Sequence, residues 1–258
     1  MKQMSAFHWK DRFKAGSIHL GISLMIATLA AVLVFGLWYP YPYREISGGR
    51  ELFLLVVTVD VILGPLITFA VFNRSKPKGE LVRDLSMVGL IQIAALSYGL
   101  WTVAVARPVH LVFEIDRFRV VHAIEVPEEL LRQAPGDVRK MPWTGPTVLA
   151  VRPFHDVNEE STATLAALQG ASLSARPDLW QNYAQARERV LAAAKPVAAL
   201  RARFPARAAE IDAAVAKTGK AANKLVYLPL VSRMAAFWTT LLDADSAQVL
   251  GFIPLDPF

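Results

Sequence analysis

The sequence predicts a membrane protein with three transmembrane helices followed by a periplasmic α+β domain, an antiparallel sheet with helices on one side. Two observations predict this class. Of the 258 residues, 54% are hydrophobic and only 19% are charged, a balance that favours a membrane protein over a soluble one. The long apolar runs all lie before residue 107, and the rest of the chain carries short strand-like and helical patterns.

Three apolar runs are long enough to cross a bilayer, which takes about 20 residues. They cover Ile18–Trp38, Leu52–Phe72 and Leu85–Ala106. The first run exceeds the apolar region of a cleaved signal peptide, about 7 to 15 residues, and is interpreted as an uncleaved anchor. The predicted domains are a basic N-terminal segment (1–17), a three-helix transmembrane domain (18–106) and a periplasmic domain (107–258).

Basic residues predict the orientation in the membrane. They cluster before the first run and in the second loop, at Lys2, Lys10, Arg12, Lys14, Arg74, Lys76, Lys78 and Arg83. Because such residues stay on the cytoplasmic side, we expect a cytoplasmic N-terminus and, after three spans, a periplasmic C-terminal domain on a bacterial inner membrane. Topology then explains the net charge of +6, and no nucleic acid partner is expected. Phe7, Trp9 and Phe13 suggest a short interfacial helix before the first span.

The C-terminal part begins with strand signals. Residues 107–126 predict a hairpin that turns near Asp116 and Arg117, with Glu114 opposite Arg119. A third strand is predicted around Thr147–Val151. The last strands are expected within 225–232, 235–242 and 248–255.

Helical patterns separate the two groups of strands. One follows Asp156, one covers residues 178–194, and alanine-rich segments continue to about Lys217. Pro196 and Pro205 are expected to start new helices. The order of strands, then helices, then strands indicates an α+β sheet.

No catalytic, cofactor or metal site is predicted. The chain has no cysteine and no GxSxG, SxxK, HExxH, Walker or dinucleotide motif. In the predicted hairpin His110 and His122 lie on opposite faces, so they cannot share a metal ion. No small-molecule substrate is therefore expected.

One acid lies in the middle of the second span. Asp60 is costly in hydrocarbon, and such a residue is a functional hypothesis by default. It is either hydrogen-bonded within its own bundle, to Gln92 or Ser97, or it faces a helix of another protein. An intramembrane aspartyl protease needs two acids, and no second acid lies inside a span.

Gly64 and Pro65 follow one helical turn later. Proline removes the hydrogen bond to the carbonyl of Val61 and bends the helix, and glycine lets another helix approach closely. Asp60, Gly64, Pro65 and Gln92 are therefore the predicted partner-binding residues in the membrane.

The sequence also resembles a known family. The resemblance is carried by residues 12–23 (RFKAGSIHLGIS), 60–99 (DVILGPLITF through ALSYG), 107–123 (RPVHLVFEIDRFRVVHA) and 241–258 (LLDADSAQVLGFIPLDPF). These segments resemble the TfpX/TfpZ family of type IV pilin accessory proteins. The resemblance implies a non-catalytic inner-membrane chaperone whose partners are the lipid bilayer and a type IV major pilin, through its transmembrane stem and periplasmic head.

Two other functions stay open at this point. A pilin-modifying membrane enzyme, such as a glycosyltransferase, generally needs many spans or a donor-sugar site. A periplasmic sensor needs a cytoplasmic output, and the predicted cytoplasmic part is only a short terminus and one loop.

Overall fold

The computed structural model describes residues 9–232 and 237–258. Two compact units emerge. The first consists of the described part of Met1–Pro40 together with Gly48–Val105, and the second of Tyr41–Ser47 with Ala106–Phe258. The N-terminal residues 1–8, including Lys2 and Phe7, and residues 235–236 of the predicted strand lie outside the described residues.

The first unit contains the three predicted spans, each extended into its polar flank. They are Trp9–Trp38, Gly49–Val71 and Lys78–Val105. The first consists of α1 (Trp9–Leu33) and a π-helical turn (Val34–Trp38), and the second of α3 (Gly49–Thr58), a π-helical turn (Val59–Leu63) and α4 (Gly64–Val71). The third is the single helix α5 (Lys78–Val105), and α2 (Tyr43–Ile46) lies in the first loop. The predicted membrane architecture is confirmed.

The described part of the basic segment continues α1 and does not form a separate interfacial helix. The rings of Trp9 and Phe13 both pack on Phe69 of α4, at centroid distances of 5.7 and 5.0 Å. These contacts favour a continuous helix because they hold the aromatic rings of its first turns against α4.

The ends of the spans are joined by polar contacts. At one end Arg74 forms an ion pair with Asp11 at 3.2 Å. At the other end the hydroxyl of Tyr39 donates to the carbonyl of Val103 at 3.2 Å. A Cβ atom at Gly49 would lie 2.3 Å from the Tyr39 ring, so this glycine is needed for the contact. The first loop and the residues after the third span therefore emerge at the same end of the bundle.

The first loop belongs to the second unit. Tyr43 and Ile46 are buried in one cluster with Phe113 and Leu230, and the hydroxyl of Ser232 donates to the carbonyl of Ile46. Burial raises the pKa of the Tyr43 hydroxyl above its usual range. The sequence analysis placed these residues in a connection between spans and did not anticipate that they complete a core formed by the end of the chain.

The second unit is built on one mixed sheet. Its strands are β1 (Pro108–Glu114), β2 (Arg117–His122), β3 (Thr147–Val151), β4 (Trp180–Asn182), β5 (Lys195–Pro196), β6 (Leu225–Val231), β7 (Phe237–Asp243) and β8 (Val249–Ile253). Their order is β4-β3-β1-β2-β6-β7-β8, and β5 pairs with β6. The α+β class is confirmed, but the expectation of an antiparallel sheet is wrong for two pairs. β1 runs parallel to β3, and β2 runs parallel to β6, because the long connections return each strand to the same end of the sheet.

The β1–β2 hairpin forms as predicted, but with a different turn. Leu111 pairs with Val120, and Phe113 with Phe118. The turn residues are Ile115 and Asp116, and Ile115 adopts a positive φ of 53°. Glu114 therefore pairs with Arg117, and the predicted Glu114–Arg119 pair is wrong. The carboxylate of Glu114 instead accepts from the backbone N–H of Ser174.

Helices cover both faces of the sheet, which corrects the expectation of helices on one side. One face carries α6 (Glu128–Gln133), α7 (Val157–Leu168), α9 (Val197–Arg203) and α10 (Ala208–Lys217). The other face is covered by α8 (Arg187–Ala193) and the first loop, around Val190 and Tyr43. Strands such as β6 therefore have apolar residues on both faces and do not show the alternation of apolar and polar residues that a half-exposed strand shows.

The helix starts follow the predicted signals, with one exception. Asp156 caps α7 by accepting from the N–H of Glu159 at 2.8 Å, and Pro196 and Pro205 directly precede or open new helical segments. The exception is the predicted helix over residues 178–194, whose first part is β4. Trp180 is fully buried there and donates from its indole to the carbonyl of Ser174 at 2.8 Å, so burial of this ring outweighs local helix propensity.

We expect Ile46→Ala to lower the free energy of unfolding of the second unit by about 2–4 kcal/mol, because it opens a cavity in the core. Ile46 is 1% exposed. Denaturant unfolding of the whole protein in micelles, followed by near-UV circular dichroism, measures the change. Ile124→Ala is the matched control, since Ile124 is 58% exposed in the same unit. Equal effects of the two variants would show that the loop adds nothing to the core.

A second expectation is that the buried His110 makes the free energy of unfolding depend on pH. Burial lowers the pKa of His110 to about 4, against an ordinary value of about 6.5. As the pH falls below about 6.5 the unfolded chain binds a proton first, so the free energy of unfolding should fall by about 3 kcal/mol between pH 7 and pH 4 from this residue.

His110→Phe should remove that part of the pH dependence, measured by urea unfolding at both pH values. The exposed His155 provides the control variant His155→Asn, which should keep the dependence. A His110→Phe protein that loses as much stability at pH 4 as the parent would disprove the assignment to His110.

Candidate partner-binding site in the membrane

The second span changes its helical hydrogen bonding around Asp60. Residues Val59–Leu63 form a π-helical turn, and α4 starts directly afterwards at Gly64. In a π turn each N–H bonds to the carbonyl five residues back, and such turns are frequent at functional sites. The residue five positions after Asp60 is Pro65, which has no N–H to donate. The backbone carbonyl of Asp60 therefore lacks its regular partner.

Gln92 of α5 supplies that missing donor. Its side-chain amide donates to the carbonyl of Asp60 over a long 3.4 Å. A backbone group in hydrocarbon must be paired within the protein, so this contact stabilises the irregular turn. The sequence analysis paired Gln92 with the Asp60 side chain. The structure brings Gln92 to the main chain of Asp60 and leaves the carboxyl group without that bond.

Gly64 makes the Gln92 contact sterically possible. A Cβ atom at Gly64 would lie 1.7 Å from Nε2 of Gln92, so any side chain there would push the amide away. From the sequence, Gly64 is expected to let another helix approach closely. Within the described residues the space is filled by the protein's own third span, and Gly64, Pro65 and Gln92 act together on one backbone turn.

The Asp60 side chain lines a cleft between the three spans. The cleft has a volume of about 190 Å³. Its wall is mostly apolar, with residues such as Ile26, Ile93 and Leu96, and its polar residues are His19, Ser23, Asp60 and Gln92. All three spans contribute to it, so a group that enters the cleft touches each of them.

The Asp60 carboxyl group has no hydrogen bond or ion pair to any of the residues that the structure describes. The imidazole of His19 is near enough to interact with it electrostatically. That imidazole is itself held by Thr68 of α4, with 2.5 Å between Nδ1 and the hydroxyl oxygen. An acid in this position can take a hydrogen-bond donor from another molecule, because the residues that the structure describes supply none to its carboxyl group.

Sequence reasoning missed His19 and Thr68 as members of this site. The signal was present, since a histidine inside an apolar run is as unusual as an acid there. Their pairing could not be deduced, because it depends on how the first span packs against α4.

Most of the surface of the spans is apolar and uncovered. Side chains at least 60% exposed occur on all three, including Leu29, Val32, Leu55, Leu90 and Ile93. Such residues suit lipid or another apolar helix. The cleft interrupts this apolar surface with the polar residues.

The described residues contain no group of three or more His, Asp or Glu that could hold a metal ion. His110 packs edge-on against Trp180 at 4.5 Å and pairs with Thr147 at 2.8 Å. His122 pairs with Glu125 at 3.1 Å. Each of these histidines has a local structural partner.

Comparisons with known proteins identify relatives along the whole chain. A family model described as "Fimbrial assembly protein FimB" matches residues 7–48. The serogroup I fimbrial assembly protein of Dichelobacter nodosus is 36% identical over 254 residues, which cover 96% of this chain and 98% of the relative. The serogroup E1 protein is 35% identical over the same shares of both chains.

A shorter relative from the same organism, the fimbrial assembly protein of serogroups C1 and C2, is 40% identical over 129 residues, or 48% of this chain and 98% of its own. No solved structure matches the chain. Two relatives are more than 30% identical over almost the full length of both chains. The chain therefore belongs to the FimB family of fimbrial assembly proteins.

Proposed function

We propose that this protein is a non-catalytic accessory protein of the bacterial inner membrane that binds type IV pilin and supports its stability or its assembly into pili. The observation that carries this proposal is the Asp60 carboxyl group, which faces a cleft between three spans and has no hydrogen-bond partner among the described residues. The names of the relatives support a role in pilus assembly. The resemblance to TfpX/TfpZ pilin accessory proteins supports pilin as the client.

In this proposal the pilin stem occupies the cleft. A transmembrane helix brings its own apolar surface and can present one polar group to Asp60. Association of helices in a bilayer depends on packing and interhelical hydrogen bonds, since lipid is as apolar as the helices. The cleft offers both, through the apolar side chains of Ile26 and Ile93 and through the acid Asp60, all of which line it.

The second unit contacts the pilin head on the periplasmic side. Its proposed location follows from the basic residues of the second loop, such as Arg74 and Lys76, which favour the cytoplasmic side. The third span follows this loop, so the C-terminal unit is expected on the periplasmic side. A chaperone of this kind needs no reaction chemistry. It lowers the free energy of a pilin subunit in the membrane by covering the polar group of its stem.

The first expectation is that pilin crosslinks to the cleft wall. A photoreactive residue at Ile93 should give a pilin adduct in native membranes, whereas one at Leu90 should not. The two residues are matched, since both are on α5 and 65% exposed, but only Ile93 lines the cleft. Equal adducts from both positions would mean that pilin does not occupy the cleft.

The second expectation concerns the acid. Asp60→Asn should lower the yield of the Ile93 adduct about fivefold, the effect of losing about 1 kcal/mol of interhelical hydrogen bonding. Thr58→Val is the control, because it removes a polar group from an exposed position of the same span outside the cleft. If Asp60→Asn leaves adduct yield, pilin level and piliation unchanged, Asp60 does not hold the stem.

A further inference from the structure

The last strand of the sheet has one open edge. β8 comes at the end of the strand order and pairs only with β7. Within the described residues, the backbone groups from Val249 to Phe252 bond to nothing except β7. An open edge presents a row of N–H and C=O groups that a further strand can pair with.

The opposite edge of the sheet is protected. β4 has only three residues, and Trp180 at its start is fully buried. A short edge strand of this kind offers little to a partner.

β8 has neither of the side chains that commonly protect an edge strand, since its sequence VLGFI contains no charge and no proline. Its pairing with β7 does contain a bulge, because Leu241 pairs with Gly251 and Leu242 with Val249, which leaves Leu250 without a partner on β7. β-branched and aromatic residues such as Val249 and Phe252 favour extended pairing. The apolar edge that follows the bulge, from Gly251 to Ile253, has no charge or proline to keep a further strand away.

A groove runs along this edge. It has a volume of about 500 Å³, and its lining includes Tyr41 and Pro42 of the first loop, Ala213 and Ala214 of α10, and β8 itself. The small alanine side chains of α10 leave room in the groove. A Cβ atom at Gly251 would have ordinary van der Waals contacts, at 3.7 Å to Thr218 and 3.9 Å to Leu241. One strand of five residues is about 17 Å long, and such a groove beside a free edge suits one extended peptide.

The charges of the groove favour an acidic residue in that peptide. Glu210 lines the groove but forms an ion pair with Arg207 at 2.5 Å. Lys217 also lines it and has no ion pair with any described residue. The uncompensated charge of the groove is therefore positive.

We propose that β8 accepts an extended apolar segment of the pilin head, with an acidic residue near Lys217, as an added strand of the sheet. This inference rests on the proposed function and specifies that the contact with the pilin head is made by addition of a strand to the sheet. Main-chain hydrogen bonds to β8 supply the affinity, and side chains that meet Tyr41, Ala214 and Lys217 supply the preference.

The test uses the absence of cysteine from the chain. Gly251→Cys is sterically allowed, and the folded protein is then labelled with a benzophenone maleimide and irradiated in membranes that contain pilin. Ser161→Cys, on an exposed position of α7, is the control. A pilin adduct from position 251 and none from 161 is expected, and Lys217→Glu should lower the adduct yield several-fold.

The outcomes separate this inference from the proposed function. A pilin adduct from Ile93 without one from position 251 would overturn strand addition and leave the cleft proposal intact. No pilin adduct from either position would overturn both. A covalent dimer of this chain from position 251 would assign the edge to a second copy instead of pilin. If Lys217→Glu leaves the adduct yield unchanged, the claim that the bound segment places an acidic residue near Lys217 is overturned.

Discussion

The membrane unit depends on one backbone carbonyl. Pro65 has no N–H, so the carbonyl of Asp60 in the π turn needs another donor, and hydrocarbon provides no water to supply one. Gln92 donates to that carbonyl, and it can approach only because position 64 is glycine. The contact fixes the third span against the second. It also leaves the carboxyl group of Asp60 on the wall of the cleft, with the main chain of the same residue already paired.

Much of the architecture could be predicted from sequence because each signal is local. Span lengths follow from apolar runs, the start of α7 from Asp156, and the starts of later helices from Pro196 and Pro205. β3 has the bounds predicted for it, Thr147–Val151. These features depend on residues close together in the chain, so no knowledge of packing is needed.

Apart from the turn of the β1–β2 hairpin, the wrong predictions depend on contacts between residues far apart in the chain. The parallel pairs β1–β3 and β2–β6 require long connections whose paths are not visible in local patterns. Residues near β4 are rich in helix formers and predict a helix, but the burial of Trp180 favours a strand there. In the membrane the acid, glycine and proline were identified, but the roles of Gln92, His19 and Thr68 follow from how the spans pack.

The first loop adds a constraint on how the chain is made. Tyr43 and Ile46 are synthesised well before β1, yet they belong to the same hydrophobic cluster as Phe113 and Leu230. The C-terminal domain therefore completes its core only if the first two spans have inserted with their connecting loop on its own side of the bilayer. A chain in which only one of the second and third spans inserted would place this loop and the domain on opposite sides of the bilayer. Its domain would lack Tyr43 and Ile46 and expose an apolar surface, which marks it for proteolysis. In this way a short loop makes insertion of both later spans a condition of folding.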